Sequence, residues 1–311
     1  MAAMFPQDEI APDEHPLLAY GATADPDTMY YHEAMRQDDK QHFKTAAVKE
    51  FLDQWNNGNF TPIRKSEVPE GANVLPAVWA MRRKRKVSTN EIVKYKARLN
   101  LGGHKQVHGK DFWQTYAPVA NWGSIRTQLI LAKQHDWHTI QLDFVQAYPQ
   151  APIEVEQYMQ WPRGIEVDGY NSDEYVLQVH KNVYGGKAAG RTWNKHLVKK
   201  LEFVGFKQSA HDHCVFYKGT AMYTLYTDDS ILAGPDKAEL LDIIQQMKDA
   251  NLDLTVEGDL SDFLGVNIDK QSDGTLLLTQ SRLIESILAD LGLGGSDTTS
   301  IKSTPMASSK L

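Results

Sequence analysis

The segment YTLYTDDSILAG, residues 223–234, constrains the fold more than any other stretch of the chain. Apolar Tyr223, Leu225 and Tyr226 approach, Ile231, Leu232 and Ala233 leave, and Asp228 and Asp229 sit between them. Short apolar runs on both sides of a turn read as hairpin strands that need burial. Two adjacent carboxylates in a tight turn repel one another, so the hairpin is costly unless a cation or solvent relieves it. Asp also favours turns on geometric grounds alone, and most isolated Asp-Asp turns signify nothing more. A further carboxylate makes the turn informative: Asp143 stands near the end of the apolar strand in QLDFVQAY, residues 141–148. If the two strands are sheet neighbours, Asp143 and Asp228 can face a common point. Three carboxylates there could hold two divalent cations about 3.5–4 Å apart, the arrangement used in phosphoryl transfer. Hard oxygen donors of this kind suit Mg²⁺.

A net charge of −7 over 311 residues speaks against a polyanionic partner, but the charge is unevenly spread. Residues 81–110 hold ten basic side chains and one acid, Glu91, between two acidic flanks. Val78–Lys86 and Ile92–Asn100 read as the arms of a hairpin around Ser88-Thr89-Asn90, and both arms are basic. That is the footprint of an element that grips phosphates, although charge runs are commonly plain solvated surface. The single cysteine excludes a disulfide framework and a Cys-rich zinc fold, and it fits a reducing, intracellular compartment. No apolar run approaches the roughly 18 residues of a membrane span, and the acidic N-terminus lacks a signal-peptide core, so no membrane partner is expected.

Elsewhere the pattern alternates irregularly. Residues 1–30 read as a flexible acidic leader, and His32 to about Trp55 as a helix. Pro62, Pro69, Gly71 and Pro76 then mark a loop region. A helix follows near Ser124, with Ile125, Leu129, Ile130 and Leu131 on one side, then a strand at 138–145 that Pro149 and Pro152 bend away. Tyr175–Val179 reads as a strand, Arg191–Val204 as a helix, and 214–234 as two strands. A helix at Lys237–Ala250, a strand near Leu252–Val256, a strand pair at Phe263–Ile268 and Thr275–Thr279, and a helix at Leu283–Leu291 complete the pattern before a Ser/Thr/Gly tail. Hairpins interspersed with helices favour α+β over a doubly wound parallel sheet. Two other signals are weak. GGKAAGRT (185–192) is one residue from a P-loop, but Arg191 stands where the lysine belongs. His211, His213 and Cys214 lack the spacing of a structural zinc site.

The motifs taken together carry a resemblance. YTDD (226–229), KYKARLNLGGHKQ (94–106), TYAPVANWGSIRT (115–127), HTIQLDFVQAY (138–148), VYGGKAAGRTW (183–193) and DFLGVNI (262–268) stand in an order and spacing similar to the reverse transcriptase of copia-type LTR retrotransposons. DPDTMYYHEAM (25–35) and STPM (303–306) resemble that family's flanks. The resemblance implies a right-hand polymerase, with fingers and palm over 31–280, an antiparallel palm sheet, and the start of a thumb or connection with a disordered tail over 281–311. It implies an RNA-directed DNA polymerase that transfers deoxynucleotides from their triphosphates to a primer 3′-OH on an RNA or DNA template. Two Mg²⁺ ions per site are implied, with Mn²⁺ as a substitute. Asp143 and Asp228 would be the main metal ligands, the Phe144 carbonyl would complete one shell, and Asp229 would be the third catalytic carboxylate. Lys96 and Arg98 would lie over the triphosphate, and Tyr148 under the sugar, where it blocks a ribose 2′-OH. Phe263, Leu264 and Gly265 resemble a primer grip. RNase H and integrase, which serve DNA integration, would be partners from the same Pol polyprotein. The expected location is cytoplasmic, in a virus-like particle, or nuclear. Three residues depart from the family loop: Gly186 replaces a leucine, Ala188 a glutamine and Gly190 a proline. A decayed copy that folds and binds nucleic acid without polymerising is the alternative.

Overall fold

The computed structural model describes residues 27–85 and 91–291. In chain order these form β1 (Thr28–Tyr30), α1 (Tyr31–Ala34), α2 (Lys40–Asn56), β2 (Phe60–Arg64), β3 (Val74–Leu75), β4 (Ala77–Arg85), β5 (Ile92–Leu101), α3 (Trp122–Gln134), β6 (His138–Phe144), β7 (Pro152–Gln160), β8 (Tyr175–Lys181), α4 (Ala189–Val204), β9 (Lys207–Gln208), β10 (Val215–Lys218), β11 (Ala221–Tyr226), β12 (Asp229–Gly234), α5 (Lys237–Asp249), β13 (Leu254–Gly258), β14 (Asp262–Phe263), β15 (Val266–Lys270), β16 (Leu276–Thr279) and α6 (Ser281–Asp290). The mixture is α+β. No helix among the described residues is long and apolar enough to cross a membrane.

Two hydrophobic cores organise these elements. The first lies on the antiparallel sheet β13-β6-β12-β11-β10-β9. Helix α4 places Ala189, Trp193, Leu197, Leu201 and Val204 on one buried face at three- and four-residue steps. Helix α5 does the same with Leu240, Ile243, Ile244 and Met247, and the Asp236 side chain caps its start by accepting from the Ala238 N–H. Gly205, at φ +97°, stops α4 in the left-handed conformation that a side chain resists. The second core packs Phe43, Ala47 and Phe51 of α2 against Trp79, Met81, Ala97 and Leu99 of the β4–β5 hairpin and against Met159, Leu177 and Val179 of the sheet β2-β8-β7-β3. The loop after β8 is joined to the end of β5 where the Leu101 N–H donates to the Tyr184 carbonyl at 2.7 Å. A Cβ on Gly185 would stand 2.4 Å from the Leu101 carbonyl oxygen, at a φ of +84°, so glycine is required at this junction.

Several sequence expectations are corrected. Pro69 and Gly71 lie in a loop as expected, but two other prolines lie in strands: Pro62 sits in β2, an edge strand, and Pro152 is the first residue of β7, the two places where a missing N–H does no harm. Residues 214–234 hold three strands rather than two, because Gly219 at φ +56° turns the chain between Lys218 and Ala221. The helix expected over 32–55 is broken between Ala34 and Lys40. On α3 Ile125 and Leu129 are buried as expected and Gln128 is buried with them, donating to the Met222 and Ile231 carbonyls, while Ile130 is exposed. The leader expected to residue 30 ends earlier, since Thr28–Tyr30 pairs with β4. Residues 1–26, Lys86, the turn Ser88-Thr89-Asn90 and the tail from Gly292 lie outside the described residues.

Candidate active site

Strand register brings the three acids together. β12 lies between β11 and β6, and Asp229 pairs across the sheet with Asp143. Tyr226 pairs with Asp229, so the hairpin loop is only Thr227-Asp228. The Phe144 N–H donates to the Asp228 carbonyl at 3.3 Å, tying the turn to the end of β6. All three carboxylates are half-buried. Burial, Asp228 and Glu257 raise the pKa of Asp143. Burial, Asp228, Asp143, Asp262 and Glu257 push that of Asp229 up to about 6. The site is therefore a focus of uncompensated negative charge. Among the described residues, no three or more His, Cys, Asp or Glu side chains form a ready-made ion cage.

The basic hairpin faces this focus. Pairing of Arg82 with Lys96, Lys84 with Lys94 and Ala80 with Arg98 puts five cations on one face of β4–β5. Burial, then repulsion from Arg98 and Lys84, lowers the pKa of Lys96, and Lys96 and Lys84 in turn act on Asp143. The opposite face carries Arg83, which does not reach outward. It makes a bidentate pair with Asp39 at 2.7 and 2.8 Å, and Arg85 pairs with Asp27 at 2.6 Å. The phosphate-gripping footprint read from the charge run counts Arg83 and Arg85 among its basic side chains. Period-two alternation instead turns Arg83 to the α2 side, and acids from the start of the fold take both.

Tyr148 lies on the single turn after β6, half-buried, with its ring 5.0 Å from that of Tyr184. The Arg98 guanidinium lies over the other ring, 5.1 Å from the Tyr184 centroid. Burial and the charge of Asp228 raise the Tyr148 pKa, and Arg98 lowers it, so stack and carboxylates share one field. Leu264 and Gly265, at φ +52° and +77°, form the two-residue turn closing Phe263 on Val266, with Phe263 in the first core. Ala188 is the N-cap of α4 and supplies no capping side chain. Gly190 is open, since a Cβ would meet the Tyr148 hydroxyl at an ordinary 3.6 Å. The P-loop-like run is occupied internally: Arg191 bonds Glu154 and Gln114, and the Thr192 hydroxyl donates to the Ala188 carbonyl. Cys214 is fully buried, which pushes its thiol up to about 12, and Asp212 beside it is taken by the Ser124 hydroxyl and by the Asn121 and Cys214 N–H groups.

Sequence reasoning missed Tyr184, Trp193, Glu257 and Asp262 as neighbours of the acids. Tyr184 and Trp193 flank the loop of one quoted block, and nothing in their spacing to Asp143 or Asp228 announces proximity.

Residues 63–307 match the family of reverse transcriptases (RNA-dependent DNA polymerases). Over 262 residues, 82% of this chain and 19% of the relative, it is 29% identical to the retrovirus-related Pol polyprotein from transposon TNT 1-94 of Nicotiana tabacum. It is 32% identical over 259 residues to that from transposon RE2 of Arabidopsis thaliana, covering 81% of this chain and 17% of the relative. The chain thus spans less than a fifth of these polyproteins. With that match over most of its length, and with relatives of the copia type, the chain belongs to the reverse transcriptase family.

Proposed function

We propose that the chain is an RNA-directed DNA polymerase of the right-hand type, extending a primer 3′-OH with deoxynucleoside triphosphates. The observation that carries this reading is the strand register that joins Asp143 to Asp229 beside Asp228, facing a hairpin with five cations on one side. In this reading the first core is the palm, the second belongs to the fingers, and β14–β16 with α6 lead toward a thumb.

The donor set fits Mg²⁺ in kind. Mg²⁺ takes one or two carboxylates and fills its shell with waters and substrate phosphates, so a closed protein cage is not required. The raised pKa values of Asp143 and Asp229 reflect burial first and then mutual repulsion, and the repulsion is what a cation would relieve. Asp143, Asp228, Asp229 and the Phe144 carbonyl would hold Mg²⁺ or Mn²⁺. When bound, the cations would favour the ionised 3′-hydroxyl and offset the charge of the triphosphate and leaving pyrophosphate. The chain's own residues would position the reactants. Lys96 would meet phosphate oxygens as a point charge and Arg98 as a planar fork, held in orientation by the Tyr184 ring beneath it. Tyr148, backed by Tyr184, would fill the space of a ribose 2′-OH. The Leu264-Gly265 turn would seat the primer end. Partners would be a primer–template and the RNase H and integrase regions of a Pol polyprotein.

The test is extension of oligo(dT) on poly(rA) with Mg²⁺. Wild type should extend, and Asp228→Asn should lose roughly 10³-fold or more while still binding primer–template. A folded wild-type chain that does not extend, or an Asp228→Asn variant that extends comparably, overturns the reading.

A further inference from the structure

Thr227 holds an unusual backbone. Its φ is +58°, a left-handed value that a β-branched residue resists. Among the two loop residues of the acidic hairpin only Thr227 has positive φ. That matches the φ pattern of a type II′ turn, whose first central position ordinarily takes glycine. Such a conformation persists only when its surroundings impose it. The residue that does so comes from another element. Trp193 of α4 donates its indole N–H to the Thr227 carbonyl at 2.8 Å. Its ring is buried, meets Phe144 edge-on at 5.1 Å and stacks on His196 at 6.2 Å. One side chain thus touches both the residue before Asp228 and the residue after Asp143. The same two segments also meet through the longer 3.3 Å bond from the Phe144 N–H to the Asp228 carbonyl and, one residue further on, through the pairing of Asp229 with Asp143.

We infer that Trp193 is the positioning residue that fixes the Thr227-Asp228 turn against the end of β6 and so sets the placement of Asp228 relative to Asp143. The inference rests on the reading that these carboxylates hold divalent cations. The bland alternative is that a buried indole N–H merely found an acceptor, as such groups usually do. Removing the N–H alone separates the two. Trp193→Phe keeps an aromatic ring against Phe144 and deletes the donor. Thr227→Gly gives the turn a residue that adopts positive φ without strain.

Two measurements on the metal-free full chain decide the matter. The first is hydrogen exchange in peptides 138–148 and 223–234. The second is Mn²⁺ affinity of the free protein by electron paramagnetic resonance, with Asp228→Asn as reference. Trp193→Phe should speed exchange in both peptides and weaken Mn²⁺ binding roughly tenfold, the equilibrium equivalent of one hydrogen bond. Adding Thr227→Gly to it should restore a large part of both. Unchanged exchange at 223–234 overturns the inference, and so does faster exchange with unchanged Mn²⁺ affinity. If wild type and Asp228→Asn bind Mn²⁺ alike, the metal reading itself fails, and exchange in the two peptides still decides whether Trp193 holds the turn. Where Trp193→Phe does not fold, Thr227→Gly alone is read. Wild-type protection at 223–234 then supports the indole as the fixing group, whereas faster exchange shows that the threonine fixes the turn and overturns the inference.

Discussion

Tyr148 illustrates how a side chain acquires a function from what lies behind it. Its ring is backed by Tyr184, which is in turn capped by Arg98, so it cannot retreat without disturbing a cation–aromatic contact. A rigid ring excludes an extra hydroxyl better than a mobile one. Tyr148→Ala should therefore raise ribonucleotide incorporation relative to deoxynucleotide roughly tenfold or more, the scale on which shaped pockets discriminate. The check is single-nucleotide extension on poly(rA) with UTP against dTTP. Unchanged discrimination would reduce Tyr148 to packing. The three acids were legible at this scale because each lies at an end of an apolar strand or in the turn between two, a pattern that survives in one dimension. Tyr184 and Trp193 were not legible, because they reach the acids from the loop and helix after β8. Glu257 arrives from β13, which the sheet order sets beside β6, and Asp262 from β14 of a separate sheet, so neither is near the acids in sequence.

Among the elements, the β4–β5 hairpin is held from its core side by acids that precede β2. Asp39, the residue before α2, receives Arg83 through two bonds and the Tyr95 hydroxyl at 2.9 Å. The Arg83 bond first, with Tyr95 adding to it, brings the carboxyl down to about 2. A depressed carboxylate adds stability above its unfolded pKa, which is lost as pH falls from about 4 through 2. Asp39→Asn should cost about 1–2 kcal/mol at pH 7 after allowance for solvent screening, and the difference should shrink steadily below about pH 4 and be mostly gone by about pH 2. Urea denaturation of both proteins across that range measures it. In the loop after β8, Gly185→Ala should cost about 2–4 kcal/mol, because its Cβ would overlap the Leu101 carbonyl at a φ that side chains avoid. Melting of the variant tests this. Element identity was legible wherever periodicity was strong, as in α4 and α5. It failed at β2 and β7, where Pro62 and Pro152 read as breakers. Whether a strand lies at a sheet edge, where proline is harmless, depends on partners distant in sequence.

For the whole molecule, net charge matters less than where the charge lies. Lys84, Lys94, Lys96, Arg82 and Arg98 share a face in a chain that is acidic overall, so a polyanion should be drawn to one side. Each lysine that contacts a phosphate adds roughly 0.9 to the slope of log affinity against log salt. The pair Lys84→Ala and Lys94→Ala should thus lower that slope for primer–template by roughly 1 to 2. Fluorescence anisotropy over a salt series reads it, and an unchanged slope would show that this face is not where the backbone runs.

Cys214 has a practical consequence. It is the chain's single thiol, it is buried, and burial keeps it protonated well above neutral pH. Reaction with maleimides needs an accessible thiolate, so the native protein should be inert to them. A Phe203→Cys substitution, at an exposed position on α4, could then take a fluorophore as the sole labelled site without first removing the native thiol.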